Sequence, residues 1–236
     1  MSEPTIQSTI SMWGSGDYSL HTKGAKDVID NASDLVLSAL EDMDVDPNDE
    51  RPLQLADFAA ADGGTSIDLM RAMVGKLRGR APTRPIRVCY TDLPSNDYSA
   101  LFQLVHGLKP AVKSYMQEFD GVYPFASATS FFERIFPDQQ LDFGFSATAM
   151  HWLSEMPCDV SDHIHSVGAS GRERELIRQR AAHDWEDILA CRAKELRSGG
   201  RMVMVNLAVD DAGQHMGNTG GVNMFDTMNM LWRRLV

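Results

Sequence analysis

The chain has 236 residues, 43% of them hydrophobic and 23% charged, enough for one globular domain with a sizeable core. A formal charge of -11 argues against nucleic acid as a partner, because binding phosphates takes a basic surface. Cys89, Cys158 and Cys191 are few, odd in number and far apart, so neither a disulfide framework nor a zinc pattern is expected.

The opening MSEPTIQSTISMW lacks the basic start and apolar centre of a signal peptide. No apolar run approaches the roughly 20 residues that span a bilayer. A soluble, cytoplasmic chain with no membrane partner is the expectation. Residues 24–43 set Val28, Ala32, Leu35, Val36, Ala39 and Leu40 on one face at helical spacing, which predicts a lid and helix within 1–45. DVDPNDERP then breaks the helix.

An apolar strand over 53–58 runs into Asp57, and a loop with Gly63 and Gly64 leads to a helix carrying Ile67, Met70, Val74 and Leu77. A second strand over 86–91 is followed at once by Asp92. A helix over 96–107 comes next, with Asn96 as its N-cap, then strands over 122–127 and 141–146. ATAMHWLS at 147–154 reads as a short helix. A long charged helix spans 171–196, with Ser198-Gly199-Gly200 as its C-cap, and a fifth strand spans 201–208 before a final helix over 219–235. Strands alternating with helices predict a single α/β domain around a doubly wound, mostly parallel sheet. Its core would cover 50–210 and its closing segment 211–236, with ligands at the carboxyl ends of the strands.

Two acids at the ends of successive strands are what that ligand would meet. Asp92 is placed to accept hydrogen bonds from ribose hydroxyls, while the small residues of 59–64 let a ligand approach the backbone. AAADGG lacks the glycine rhythm of dinucleotide sites and the lysine of a P-loop, and Asp62 would repel a pyrophosphate. A ribose without phosphates fits better, and S-adenosyl-L-methionine is the common cofactor of that kind. His163 and His165 stand two apart in a polar loop without a third ligand, so they read as solvated and no metal is expected. The methionines at 216, 224, 228 and 230 read as packing residues.

Five stretches, in order, resemble the SABATH methyltransferases, which esterify acids such as salicylate, benzoate and jasmonate or N-methylate xanthines. They are ADFAAADGGT, TDLPSNDYSALF, TSFFERIFP, SATAMHWLSEMP and ACRAKELRSGGRMVM, and the resemblance covers roughly residues 12–236. It implies a Rossmann-like methyltransferase fold. The cofactor wall would hold Asp57, Gly63, Asp92, Leu93, Ser130, Phe131 and Ser146, with Tyr18 covering cofactor and substrate. His151 and Trp152 fall on positions that touch the acceptor and are the candidate catalytic residues.

The family's carboxylate-clamping glutamine falls on Ala25, the Asn-Ser before it becomes His21-Thr22, and the Gly-Cys-Ser-Ser loop becomes Ala59-Ala60-Ala61-Asp62. The resemblance implies a methyl ester of a small carboxylic acid as product. An N- or S-methyltransferase, or a cofactor-binding protein without turnover, is the alternative. Members of the family are longer, with a helical cap and two more strands. Residues 201–208 are therefore expected at a sheet edge, blunted by a partner chain in a homodimer or covered by the 219–235 helix.

Overall fold

The computed structural model describes residues 18–109, 112–209, 211 and 221–235. The first part of the expected lid (1–17), Met216 and the start of the expected final helix (219–220) lie outside the described residues. Two helices, α1 (Tyr18–His21) and α2 (Lys23–Glu41), precede the sheet. Strand β1 (Leu53–Phe58), helix α3 (Ile67–Arg80), strand β2 (Ile86–Thr91), helix α4 (Tyr98–Val105) and strand β3 (Val122–Ser127) follow. Strand β4 (Leu141–Ala147), helix α5 (Gly171–Glu195), strand β5 (Leu196–Val205) and helix α6 (Met224–Trp232) complete the order.

The five strands form one sheet in the order β3-β2-β1-β4-β5, every pairing parallel. β1 is central, and LQLADF is almost wholly buried, as a strand covered on both faces must be. Its alternation serves two cores. Leu53 and Leu55 join Val88, Tyr90, Phe143 and Phe145 beneath α2, α3 and α4. Ala56 and Phe58 face the opposite way, against Ile188 of α5 and the half-buried Phe131, Phe132, Met202 and Met204. The chain thus crosses sides between its first three strands and its last two, and the strand order reverses between β1 and β4. That point is where doubly wound sheets open to ligands.

Several local expectations are corrected. The N-cap of α4 is Asp97, whose carboxylate accepts from the Ala100 N–H at 2.9 Å. Asn96 is drawn away, because its amide donates to Ala61 O at 2.8 Å. Of the helix expected over 147–154, Ala147 ends β4 and 148–154 form an irregular turn, entered with Thr148 at φ 53. α5 stops at Glu195, and Ser198-Gly199-Gly200 is not its cap but part of β5. There the register jumps from Leu141↔Leu196 to Phe143↔Arg201, so the glycine pair loops out as a bulge, with Gly199 at φ 79.

β5 is an edge among the described strands, as expected. α6 is anchored on residues 162–165. Asn229 of α6 donates to Asp162 O at 2.8 Å and accepts from the Ile164 N–H at 3.1 Å. His163 and His165 correspondingly serve docking and are not simply solvated. His163 Nε2 lies 3.2 Å from Asp226, and the His165 ring stacks on Phe225 at 3.8 Å. The other edge, β3, carries Pro124, which lacks an N–H and so discourages pairing with another chain. Among the described residues no helix is long and apolar enough to cross a membrane, and no group of three or more His, Cys, Asp or Glu could hold a metal ion.

Candidate active site

The loop after β1 bends sharply at the carboxyl edge of the sheet. Ala59, Ala61 and Gly63 take φ values of 60, 49 and 74, a conformation that costs an alanine about 1 kcal/mol relative to glycine. The loop is held to β2 by Ala60 N–H donating to Thr91 O at 3.0 Å. A Cβ at Gly63 would make only an ordinary contact with Leu101 at 3.6 Å, so it is the φ of 74 and not crowding that calls for glycine here.

Asp57 sits inside this bend, 3% exposed, and accepts from Ser66 Oγ at 2.5 Å. Ser66 occupies the N-cap position of α3 but gives its hydroxyl to Asp57 instead of to the helix. Burial, with a smaller contribution from the negative charge of Asp92, pushes the Asp57 carboxyl up to about 7. Asp92 is partly exposed. Its two oxygens accept one backbone N–H each, from Ala61 at 2.8 Å and Leu93 at 2.7 Å. Burial raises its carboxyl too, against the pull of those two bonds. Tyr98 Oη donates to Asp92 O at 2.9 Å and fixes the backbone that presents the acid.

Asp62 has a structural use that its charge alone did not suggest. Its carboxylate accepts from Ser19 N–H and Ser19 Oγ, both at 3.0 Å, and from Gly64 N–H at 3.0 Å. α1 is thereby fastened over the loop. Tyr18, one residue earlier, feels both Asp62 and Asp92, and burial followed by these charges raises its phenol. Tyr18, Asp57, Gly63, Asp92 and Leu93 are therefore gathered around one loop.

Ser130 and Phe131 come from the segment after β3. Phe131 stacks obliquely on Phe132, with ring centroids 4.6 Å apart. A buried ion pair on α5 holds this segment. Arg192 and Glu195 meet at 2.7 Å; Arg192 donates to Phe131 O and Glu133 O at 2.8 and 2.7 Å, and Glu195 accepts from the Ile135 and Phe136 N–H groups at 2.5 and 3.1 Å. The Arg192 guanidinium also lies 4.7 Å from the ring centroid of Phe58, next to Asp57 in β1. Ser146 is fully buried, and its hydroxyl donates to Phe58 O at 3.2 Å, tying β4 to β1.

His151 and Trp152 stand on the turn after β4, their rings stacked at 5.8 Å, with Trp152 53% exposed. With Asp184, Trp185, Ile188 and Asn206 they line a groove of about 280 Å³ between the turn and α5, mostly apolar but with polar groups in its wall. A larger crevice of about 910 Å³ lies elsewhere, between α6 and residues 161–173, and contains none of the strand-end acids.

Residues 7–236 match the sequence model of the family described as SAM-dependent carboxyl methyltransferases. The chain belongs to that family. It is similar to loganic acid O-methyltransferase of Catharanthus roseus, with 27% identity over 85% of this chain and 57% of that protein. It also resembles indole-3-acetate O-methyltransferase 1 of Arabidopsis thaliana, 30% identical over 66% of this chain and 45% of the relative. The chain thus spans about half the length of the curated relatives it matches. A solved structure described as loganic acid methyltransferase with SAH shares the fold, with a TM-score of 0.73 and 22% identity over 96% of this chain and 67% of that one.

For this carboxyl methyltransferase family member, the residues that sequence reasoning missed are supports. Ser66 holds Asp57, Asp62 holds Ser19, and Arg192 with Glu195 holds the Phe131 segment. Arg192 and Glu195 lie inside the stretch ACRAKEL that carried the resemblance, so a signal was present there. Ser66 and Asp62 had only their place beside the glycine pair.

Proposed function

We propose that the chain forms the cofactor-binding part of an S-adenosyl-L-methionine-dependent methyltransferase that esterifies a small carboxylic acid. The observation that carries this reading is Asp92, partly exposed at the end of β2. Each of its oxygens accepts one backbone N–H and keeps a second acceptor position, which suits a pair of ribose hydroxyls. Asp57 and Tyr18 suit the rest of the group, since a carboxyl that burial has raised to about 7 becomes easier to ionise beside a cation. When bound, S-adenosyl-L-methionine supplies an electrophilic methyl on a positive sulfur.

The chain's residues would then bind, orient and dry the acceptor. A carboxylic acid with a pKa of about 4 is already ionised at neutral pH, so no general base is required. Alignment is the main task, and positioning of this kind contributes on the order of 7–11 kcal/mol. Phe131 and Trp152 would exclude water, and His151 would offer a hydrogen bond to the acceptor carboxylate. That bond matters because Ala25, at the start of α2, provides no side-chain donor. A buried carboxylate left without donors would cost several kcal/mol.

The test is calorimetry with S-adenosylhomocysteine followed by a methyl-transfer screen over small aromatic and aliphatic acids, with amines as a second arm. Asp92→Ala is expected to weaken S-adenosylhomocysteine by about 1.5–3 kcal/mol, the size of hydrogen bonds to a charged acceptor. Tight binding of NAD in place of S-adenosylhomocysteine would overturn the cofactor assignment. Transfer to amines alone would overturn the ester.

A further inference from the structure

α5 runs for 25 residues and buries only four of them: Asp184, Ile188, Arg192 and Glu195. Their spacing places all four on one stripe, and three of the four carry charge. Buried charges need partners, so each must be holding something. Arg192 and Glu195 hold one another and the Phe131 segment. Asp184 holds something else.

Asp184 is 4% exposed. Its carboxylate accepts from Ser154 N–H at 2.8 Å and from Ser154 Oγ at 2.7 Å. Arg180, one turn earlier on α5, comes within 3.7 Å and also reaches Glu155 at 2.5 Å. Ser154 ends the irregular turn that bears His151 and Trp152. At the other end, Thr148 N–H donates to Val205 O at 2.8 Å, which fastens the entrance of the turn to β5. Within the turn itself, Trp152 N–H donates to Ala149 O at 3.1 Å. The turn has no ladder or helix to fix its course, so its shape is set where it is tied down.

We propose that Asp184 is a positioning residue for the methyl acceptor. By holding both hydrogen-bond donors of Ser154, it fixes His151 and Trp152 as one wall of the groove whose other wall is Asp184 itself with Trp185 and Ile188. The inference rests on reading that groove as the acceptor's seat. A carboxylate that takes a backbone N–H and a hydroxyl together is a strong, directional anchor. Losing it releases the turn on the acceptor side, while the Asp57–Asp92 side keeps its own supports. A misplacement of about 1 Å in a reacting group can cost about 100-fold in rate, so a small shift of this wall has a large effect on the acceptor.

The experiment compares the full chain with Asp184→Ala, Asp184→Asn and Ser154→Ala. It reads S-adenosylhomocysteine affinity, acceptor KM and kcat for whichever acid the screen finds, and amide hydrogen exchange along the chain. Asp184→Ala is expected to worsen acceptor kcat/KM by about tenfold or more, with S-adenosylhomocysteine affinity kept within about twofold. Faster exchange should be confined to residues 149–155. Asp184→Asn, which still accepts from the Ser154 N–H, is expected to recover most of the loss, and Ser154→Ala to lose less than Asp184→Ala. Equal losses in acceptor and cofactor binding would overturn the proposal, as would unchanged acceptor kinetics in a merely less stable protein. If the wild-type chain binds S-adenosylhomocysteine but methylates no acid, the ester reading fails and exchange decides. Acceleration confined to 149–155 then upholds the anchor, and an unchanged profile overturns it.

Discussion

Replacing Asp57 by Asn should make the protein more stable at high pH and change little at low pH. The folded chain keeps the Asp57 carboxyl protonated up to about 7 because the group is buried, whereas the unfolded chain releases that proton near 3.8. A raised acid of this kind contributes its full stability below the unfolded value and loses it as pH climbs to the folded one. Each pH unit across that window removes about 1.4 kcal/mol, so the carboxyl withdraws about 4 kcal/mol from the wild-type protein by pH 7 and little more above it. Asn retains an oxygen to accept from Ser66 Oγ and has no proton to lose. Urea unfolding of both proteins from pH 4 to pH 8 measures the difference directly, provided the slopes agree. The two curves are expected to lie close together at pH 4 and to separate steadily, with the variant ahead, until about pH 7. A difference that stays flat with pH would refute the reasoning, and so would one that favours the wild type as pH rises. Either result would mean that the buried acid is ionised throughout.

Three further outcomes follow from the same geometry. Glu195→Ala leaves the Arg192 guanidinium buried without its counter-ion and two N–H groups unmet, a loss of about 3–5 kcal/mol in urea melts; Glu195→Gln, which still accepts, should lose less. Ala59→Gly relieves an alanine held at φ 60 and should gain up to about 1 kcal/mol in thermal melts. Trp152→Ala should cut acceptor turnover at least about tenfold while calorimetry finds S-adenosylhomocysteine affinity nearly unchanged. An unaltered rate would remove Trp152 from the acceptor site.

The sheet was easy to read from the chain because β1, β2 and β4 are short apolar runs, as buried parallel strands must be. The positions of Asp57 and Asp92 at the ends of β1 and β2 were readable for the same reason, since a strand end locates the residues around it. What escaped was decided by distant partners. Ser198-Gly199-Gly200 looks the same in sequence whether it ends a helix or loops out of a strand, and only the pairing with β4 selects the bulge. ATAMHWLS has nothing in it that forbids a helix, but its two ends are tied to Val205 and Asp184. Asn96 reads as the cap of α4, but the Ala61 carbonyl claims its amide and Asp97 takes the position. Asp62 was read as a charge facing a ligand, whereas its oxygens are committed to Ser19 and Gly64.

The strand order also sets a timetable for assembly. β1 lies at the middle of the sheet, yet its two neighbours come from far along the chain: Ala56 pairs with Cys89 on one side and Gly144 on the other. The tie between Phe58 and Ser146 spans 88 positions of sequence. A chain emerging from the ribosome can cover one side of β1 early, but the other waits until β4 has been made. Contacts this distant slow folding, and during the wait an apolar strand shows an unpaired edge to its surroundings. Synthesis paused between residues 91 and 141 should therefore leave a nascent chain that chaperones bind and that aggregates when they are scarce.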